Sequence, residues 1–290
     1  MGGSFFGTSV QGASHARTEK PCQDSNAIRN YKFKYPQKKR KVNTYYEQLT
    51  EDIAILSVAD GHGSDSCPYS QTGSQIAVNV FCDIMAEFCM KYHDDMERLF
   101  IYLNREADTK IAKSIDMSWK ERVLNHHKLQ KRAIPTNCSG ETDNGMVYQQ
   151  YGTTLLGMVL TSKFIFVFQL GDGNILYVDK KSVRPVLETE KILGVETHSL
   201  SKKDAWKNAV TCVVNIVIEP EKPYMYVLTT DGMANSFISE VEYHKSCREY
   251  FETIVEHGVE NVKENLKGWL IETSTLGCGD DISAVFAYFE

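Results

Sequence analysis

No stretch of the 290-residue chain approaches the roughly 20 apolar residues needed to cross a bilayer. The opening Met1-Gly2-Gly3-Ser4-Phe5-Phe6 lacks a basic region ahead of an apolar core, so export is not expected. Phe6 also stands where a myristoylation signal wants Ser or Thr. Positive charge is short: 32 Lys and Arg against 38 Asp and Glu leave a net -6, unlike the basic footprint of a nucleic-acid binder. None of the eight cysteines forms a CxxC pair, and no Cys/His cluster has zinc-ligand spacing. Cys82 and Cys89 fall in apolar helical runs, so the cysteines read as free thiols in a reducing compartment. No GxxxxGK[ST] segment is present to cradle a nucleotide phosphate. The expectation is a soluble, cytoplasmic monomer with neither nucleic acid nor membrane as partner.

What is present is ordinary in bulk, with 42% hydrophobic and 24% charged residues, enough to bury a continuous core. There is no internal repeat, linker or composition break, so residues 1–290 are expected to form a single domain. Asp52–Ala59 reads as a buried strand running into the turn Asp60-Gly61-His62-Gly63. Residues 71–92 and about 94–130 carry helical patterns, and 131–149 reads as a polar connection. From 152 the period shortens: Thr153–Leu160, Lys163–Leu170, Asn174–Asp179, Ala209–Ile218 and Met225–Thr230 are expected strands. A helical stretch follows over 239–272 and a closing strand over Ile282–Phe289. Strands and helices do not alternate regularly, which favours a layered α+β sandwich over a parallel α/β fold. The basic run from Lys32 to Lys41 reads as a solvated hairpin between two strands, and the His126-His127 pair as an exposed helix face.

Six aspartates, Asp24, Asp60, Asp172, Asp231, Asp280 and Asp281, sit at the edges of apolar runs beside small residues. Taken singly, an Asp beside Gly is a turn residue. Taken together, carboxylates set at strand ends can converge, and converging carboxylates need cations. All-oxygen ligands suit Mg²⁺ or Mn²⁺ better than zinc.

The ordered texts Cys22-Gln23-Asp24-Ser25, Val58-Ala59-Asp60-Gly61-His62-Gly63, Tyr151-Gly152-Thr153-Thr154, Leu170-Gly171-Asp172-Gly173, Thr230-Asp231-Gly232 and Gly279-Asp280-Asp281-Ile282-Ser283 resemble the protein phosphatase 2C family, in its bacterial-type branch. They span nearly the whole chain. The resemblance implies a four-layer α/β/β/α sandwich, two antiparallel sheets flanked by helices, acting as a metal-dependent serine/threonine protein phosphatase. It implies two Mn²⁺ or Mg²⁺ ions that activate water. Asp60 would bridge them with the Gly61 carbonyl beside it, Asp231 and Asp280 would hold one, and Asp24 would contact waters near the second. His62 would be the general acid, a role that suits imidazole near neutral pH. Asp172 would be a supporting residue, and Asp281 would lie outside the ligand set. Phosphorylated proteins would be substrates, with a cognate serine/threonine kinase as partner.

The sequence also departs from the family pattern. The phosphate-clamping Arg expected five residues before Asp24 is Glu19, which leaves His15 and Arg17 as alternatives. Gln149 and Asn235 replace two aspartates associated with a third ion, so only two metals are expected. Residues Lys191–Lys203 occupy the place of the family's flap beside the site. Two rival readings follow: a weak or inactive relative acting as a phosphoprotein-binding module, and a metal-dependent hydrolase of small phosphoesters.

Overall fold

The computed structural model describes residues 2–34, 50–187, 197–216 and 220–290. In chain order the strands are β1 (Gly3–Val10), β2 (Ser25–Lys34), β3 (Thr50–Ala59), β4 (Leu155–Leu160), β5 (Phe164–Leu170), β6 (Asn174–Asp179), β7 (Val183–Pro185), β8 (Val210–Asn215), β9 (Tyr224–Thr229) and β10 (Ile282–Phe289). The helices are α1 (Ala13–Arg17), α2 (Ser70–Lys91), α3 (Met96–Glu106), α4 (Ala112–Leu129), α5 (Asn144–Gln149), α6 (Asp231–Asn235), α7 (Glu240–His257) and α8 (Val259–Leu276).

The strands form two antiparallel five-stranded sheets, ordered β1-β10-β9-β6-β7 and β2-β3-β4-β5-β8. Their inner faces meet in a shared core. Ala54, Leu56, Val58, Leu156 and Met158 of one sheet pack on Tyr226, Leu228, Val285 and Phe289 of the other. The alternate residues of β3, Ile53, Ile55 and Ala59, face a second core under α2 and α4 with Phe81, Met85 and Trp119. Ile282, Ala284 and Phe286 of β10 face a third core under α7 and α8. Both faces of β3 and β10 are therefore buried, which is why each reads as a continuous apolar run. The result is the expected four-layer α/β/β/α sandwich.

Several expectations are refined. The helix expected over 94–130 is interrupted by a π-helical turn at Ala107–Ile111. Leu103, Ala107, Ile111, Ile115, Trp119 and Val123 are all buried and recur every four residues. In an unbroken α-helix such a row would drift by about 40° per turn, and the wider turn absorbs part of that drift. The helix expected over 239–272 is two, parted at Gly258, whose φ of 84° suits glycine. The connection 131–149 ends in α5, where the Asp143 carboxylate accepts the Gly145 N–H at 2.8 Å. Strand β1 was not anticipated, and it pairs along its length with β10. The flanks of the basic run do pair as β2 and β3, while its residues 38–41 lie outside the described residues, as do 191–196 of the expected flap. His126 and His127 are not an exposed face: His127 is buried, and both ring Nδ1 atoms lie against the Tyr151 hydroxyl, at 3.1 and 3.4 Å.

Candidate metal centre

Strand β3 delivers Asp60 to the edge of the sandwich, and the segment Gly152–Thr154 fixes it there. Asp60 N–H donates to Thr154 Oγ1 at 3.0 Å. The Asp60 carbonyl accepts from Thr154 N–H at 2.9 Å and Thr153 Oγ1 at 2.7 Å. Gly61 bridges to Thr153, and His62 N–H donates to the Gly152 carbonyl at 3.0 Å. A side chain at Gly61 would run into the Gln23 carbonyl, 2.5 Å from a Cβ, so only glycine permits this approach.

Asp60, Asp172 and Asp231 each offer a carboxylate oxygen, all within 4.8 Å of one another. Asp172 comes from the β5–β6 turn and Asp231 from the start of α6, directly after β9. Asp24 and Asp280 lie beside this trio rather than in it. Asp24 is buried, and its Oδ2 accepts from Thr230 Oγ1 at 2.6 Å. The Asp280 side chain is half exposed, and its Oδ1 takes the Asp281 N–H at 2.9 Å. Of the expected ligands, Asp60 and Asp231 stand in the central group, and Asp172, read as supporting, stands there with them.

The electrostatics are those of crowded anions. Burial, then the neighbouring Asp24, Asp231, Asp280 and Asp172, push the Asp60 carboxyl well above its ordinary range. Burial also raises Asp24, opposed by the Thr230 hydrogen bond and reinforced by Asp281, Asp231 and Asp280. Asp231 is pushed up to about 6, by burial and then by Asp172 and Asp280. Asn235 Nδ2 donates to Asp231 Oδ2 at 2.9 Å, where an aspartate would add one more like charge.

The residues fit hard divalent cations. The donors are all oxygen, burial and neighbouring like charges raise the Asp60 and Asp231 carboxyls, and Asp172 Oδ1 is buried without a hydrogen-bond partner. Asp172 Oδ2 is held by Thr197 Oγ1 at 2.8 Å, so the orphaned oxygen faces away from that support. Thr197 belongs to the described end of the expected flap. His62 Nε2 is likewise buried and unpartnered.

Of the phosphate-clamp alternatives, His15 Nδ1 lies 2.9 Å from Asp281 Oδ2, without the alignment of a hydrogen bond, and Arg17 is exposed at the end of α1. Sequence reasoning passed over Lys20, whose Nζ donates to the Gly63 carbonyl at 3.1 Å, next to His62. It also passed over Cys67. Burial would raise that thiol, but hydrogen bonds from His62, Ser64 and Ser66 bring it down to about 7. Neither residue belongs to a local motif. Their only signal is proximity in sequence to Asp24 and to the Asp60–Gly63 turn.

No curated protein matches the sequence significantly. Solved structures share the fold. A bacterial serine phosphatase is 13% identical, with 100% of this chain and 98% of that chain covered and a TM-score of 0.54. The serine/threonine phosphatase Stp1 from Staphylococcus aureus is 13% identical, with 99% and 94% covered and a TM-score of 0.55. PstP/Ppp from Mycobacterium tuberculosis is 13% identical, with 99% of each chain covered and a TM-score of 0.52. At such identities these likenesses speak for the fold alone. The family model for protein phosphatase 2C matches residues 42–271, about four fifths of the sequence. With that match and the site geometry together, the chain belongs to the protein phosphatase 2C family.

Proposed function

We propose that the protein is a metal-dependent serine/threonine protein phosphatase whose residues 1–290 act as one catalytic unit. The observation that carries this reading is the convergence of Asp60, Asp172 and Asp231 within 4.8 Å, with Asp172 Oδ1 left unpartnered. Those three carboxylates would hold the ions, with Asp24, Asp280 and the Gly61 carbonyl completing the surroundings. Two divalent cations, Mn²⁺ or Mg²⁺, would supply charge neutralisation and an activated water for attack on phosphorus. The rest belongs to the chain's own side chains. His62, anchored through its N–H to Gly152, holds a proton at Nε2 for the departing serine or threonine oxygen. Lys20 brings a cation to the Gly63 carbonyl beside it, where phosphate oxygens need one. His15 is turned toward Asp281 and would act on phosphate only by leaving that contact. Phosphorylated proteins are the substrates, a serine/threonine kinase the opposing partner, and the cytoplasm the setting.

The decisive experiment is hydrolysis of a phosphothreonine peptide with Mn²⁺, with EDTA, and by Asp60→Asn. Turnover that needs metal and falls about a hundredfold or more in the variant is the expected result. One observation favours a second reading, a phosphoprotein-binding module: Asn235 occupies an acceptor position of Asp231 Oδ2. A folded, metal-loaded chain that binds the phosphopeptide without turning it over would establish that reading instead.

A further inference from the structure

His62 is gripped from behind by Cys67. Its Nδ1 and the Cys67 Sγ both lie beside Gly152, where a Cβ would stand 3.0 Å from Nδ1 and 3.3 Å from Sγ. A hydrogen bond with His62 is among the contacts that lower the Cys67 thiol. The single thiol proton is committed elsewhere, since Sγ donates to the Gln149 carbonyl at 3.1 Å. A sulfur that donates its one proton to Gln149 can only accept from His62, so the hydrogen in the shared contact sits on Nδ1. That leaves Nε2 as the free ring nitrogen, and Nε2 is the buried atom without a partner. Cys67 is itself buried, 6% exposed, in the loop leading into α2, so the grip does not depend on a mobile surface side chain.

We propose that Cys67 is a positioning residue for phosphoester cleavage: its sulfur holds Nδ1–H of His62, which fixes the ring so that Nε2 faces the leaving oxygen. The inference rests on the reading of His62 as the proton donor. As a water oxygen bonds to phosphorus and the phosphorus–oxygen ester bond breaks, the electron pair of the broken bond stays on the serine or threonine oxygen. Nε2 of the doubly protonated ring passes its proton to that oxygen, leaving the neutral imidazole with Nδ1–H still on the sulfur. Water then returns a proton to Nε2 for the next turnover. Gly152 belongs to the same device, because a Cβ there would crowd both atoms.

A positioning role separates substrates by how much their leaving group needs a proton. An alkoxide departs poorly without one, whereas p-nitrophenolate departs unaided, so loss of the acid weighs on the first substrate. The test is steady-state kinetics of the full chain with Mn²⁺ on a phosphothreonine peptide and on p-nitrophenyl phosphate. In Cys67→Ala, kcat on the peptide is expected to fall about tenfold at unchanged KM, with aryl-phosphate turnover falling by about twofold or less. Cys67→Ser, whose hydroxyl can also accept from Nδ1 while donating to Gln149, is expected to recover most of the peptide rate. Equal losses on both substrates, no loss on either, or a serine variant no better than alanine would overturn the role of Cys67. An unsubstituted chain inactive on both substrates would overturn the phosphatase reading itself, and this inference with it.

Discussion

Asp281 Oδ2 accepts the backbone N–H of Gln23 at 2.6 Å, joining two positions 258 residues apart in the chain. The other oxygen accepts the Gly12 N–H, also at 2.6 Å, and His15 Nδ1 lies 2.9 Å from Oδ2. One buried carboxylate thus ties the corner after β1, helix α1 and the approach to Asp24 onto the start of β10. Its neighbours, Asp280 in sequence and Asp24 in space, lie beside the carboxylate trio. Replacing Asp281 by alanine orphans two buried amides, each costing roughly 1–3 kcal/mol. Asp281→Ala is therefore expected to lower unfolding stability by about 3 kcal/mol, with Asp281→Asn intermediate because one of its oxygens is lost. Urea unfolding of the three proteins measures this, and a loss under about 1 kcal/mol for alanine would show that the tie is dispensable.

The raised carboxyls make metal and pH act on stability together. An aspartate in the unfolded chain titrates near 3.9, whereas Asp231 in the fold is pushed up to about 6, and Asp24 and Asp60 also lie above their ordinary range. Between those values the folded chain keeps a proton that the unfolded chain has released. The stability linked to these groups is full below the unfolded value and is lost as pH rises through the folded one. For EDTA-treated protein, the Asp231→Asn variant should therefore gain melting temperature relative to the unsubstituted chain as pH rises from about 4 to about 7. With Mn²⁺ the order should reverse at neutral pH, because the ion stabilises ionised carboxylates and the variant has lost one. Parallel melting curves across the range, with no response to Mn²⁺, would refute a shared metal centre.

How much of this was legible in the sequence follows from the range of the interactions. Strand β3 and Asp60 were readable because a run buried on both faces ends in a turn whose text is local. Strand β1 was not, because Phe6 and Val10 are spaced among Gly, Thr and Ser, and the partner that makes them a strand, β10, lies at the opposite end of the chain. Asp172 looks locally like any aspartate between two glycines, and its membership of the trio depends on Asp60 and Asp231, far away in sequence. Cys67 gave no signal because its partners are a ring at His62 and a main-chain carbonyl at Gln149, and main-chain acceptors leave no mark on side-chain identity. The π-helical turn was at least implicit, since the strict spacing of four from Leu103 to Val123 fits no straight α-helix.

Helix α2 sets the height of the segment that anchors His62. A Cβ at Gly73 would overlap the Tyr151 carbonyl oxygen, and the Gly73 carbonyl accepts Trp119 Nε1–H at 3.0 Å from α4. Alanine at an ordinary helical position would gain up to about 1 kcal/mol over glycine. Here the backbones of α2 and Tyr151–Gly152 must part, and overpacking of that kind costs about 1–3 kcal/mol. Gly73→Ala is expected to be net destabilising by about 1–2 kcal/mol and to lower phosphatase turnover by displacing Gly152. Thermal unfolding and peptide hydrolysis measured on the same preparation check both halves, and a stabilised, fully active variant would contradict the packing argument.

Two cations, half-exposed Lys20 and exposed Arg17, are the alternatives for a phosphate clamp. Lys20 Nζ sits 3.1 Å from the Gly63 carbonyl and 3.5 Å from Asp65 Oδ1, while Arg17 is exposed on α1. The Asp65 contact is solvent-exposed and worth little, so the ammonium is free to swing toward an arriving dianion. The Gly63 contact keeps it next to His62 in the meantime. Removing a charge-assisted hydrogen bond to phosphate costs about 1.5–3 kcal/mol, so Lys20→Ala is expected to lower kcat/KM on the phosphopeptide by about tenfold to a hundredfold. Lys20→Arg should preserve most of it, and the melting-temperature gain from Mn²⁺ should persist in both variants, since neither touches a carboxylate of the trio. Arg17→Ala in the same assay decides between the two cations. A larger loss from Arg17 than from Lys20 would place the clamp on α1 and show that the Lys20 contact with Gly63 merely braces the turn.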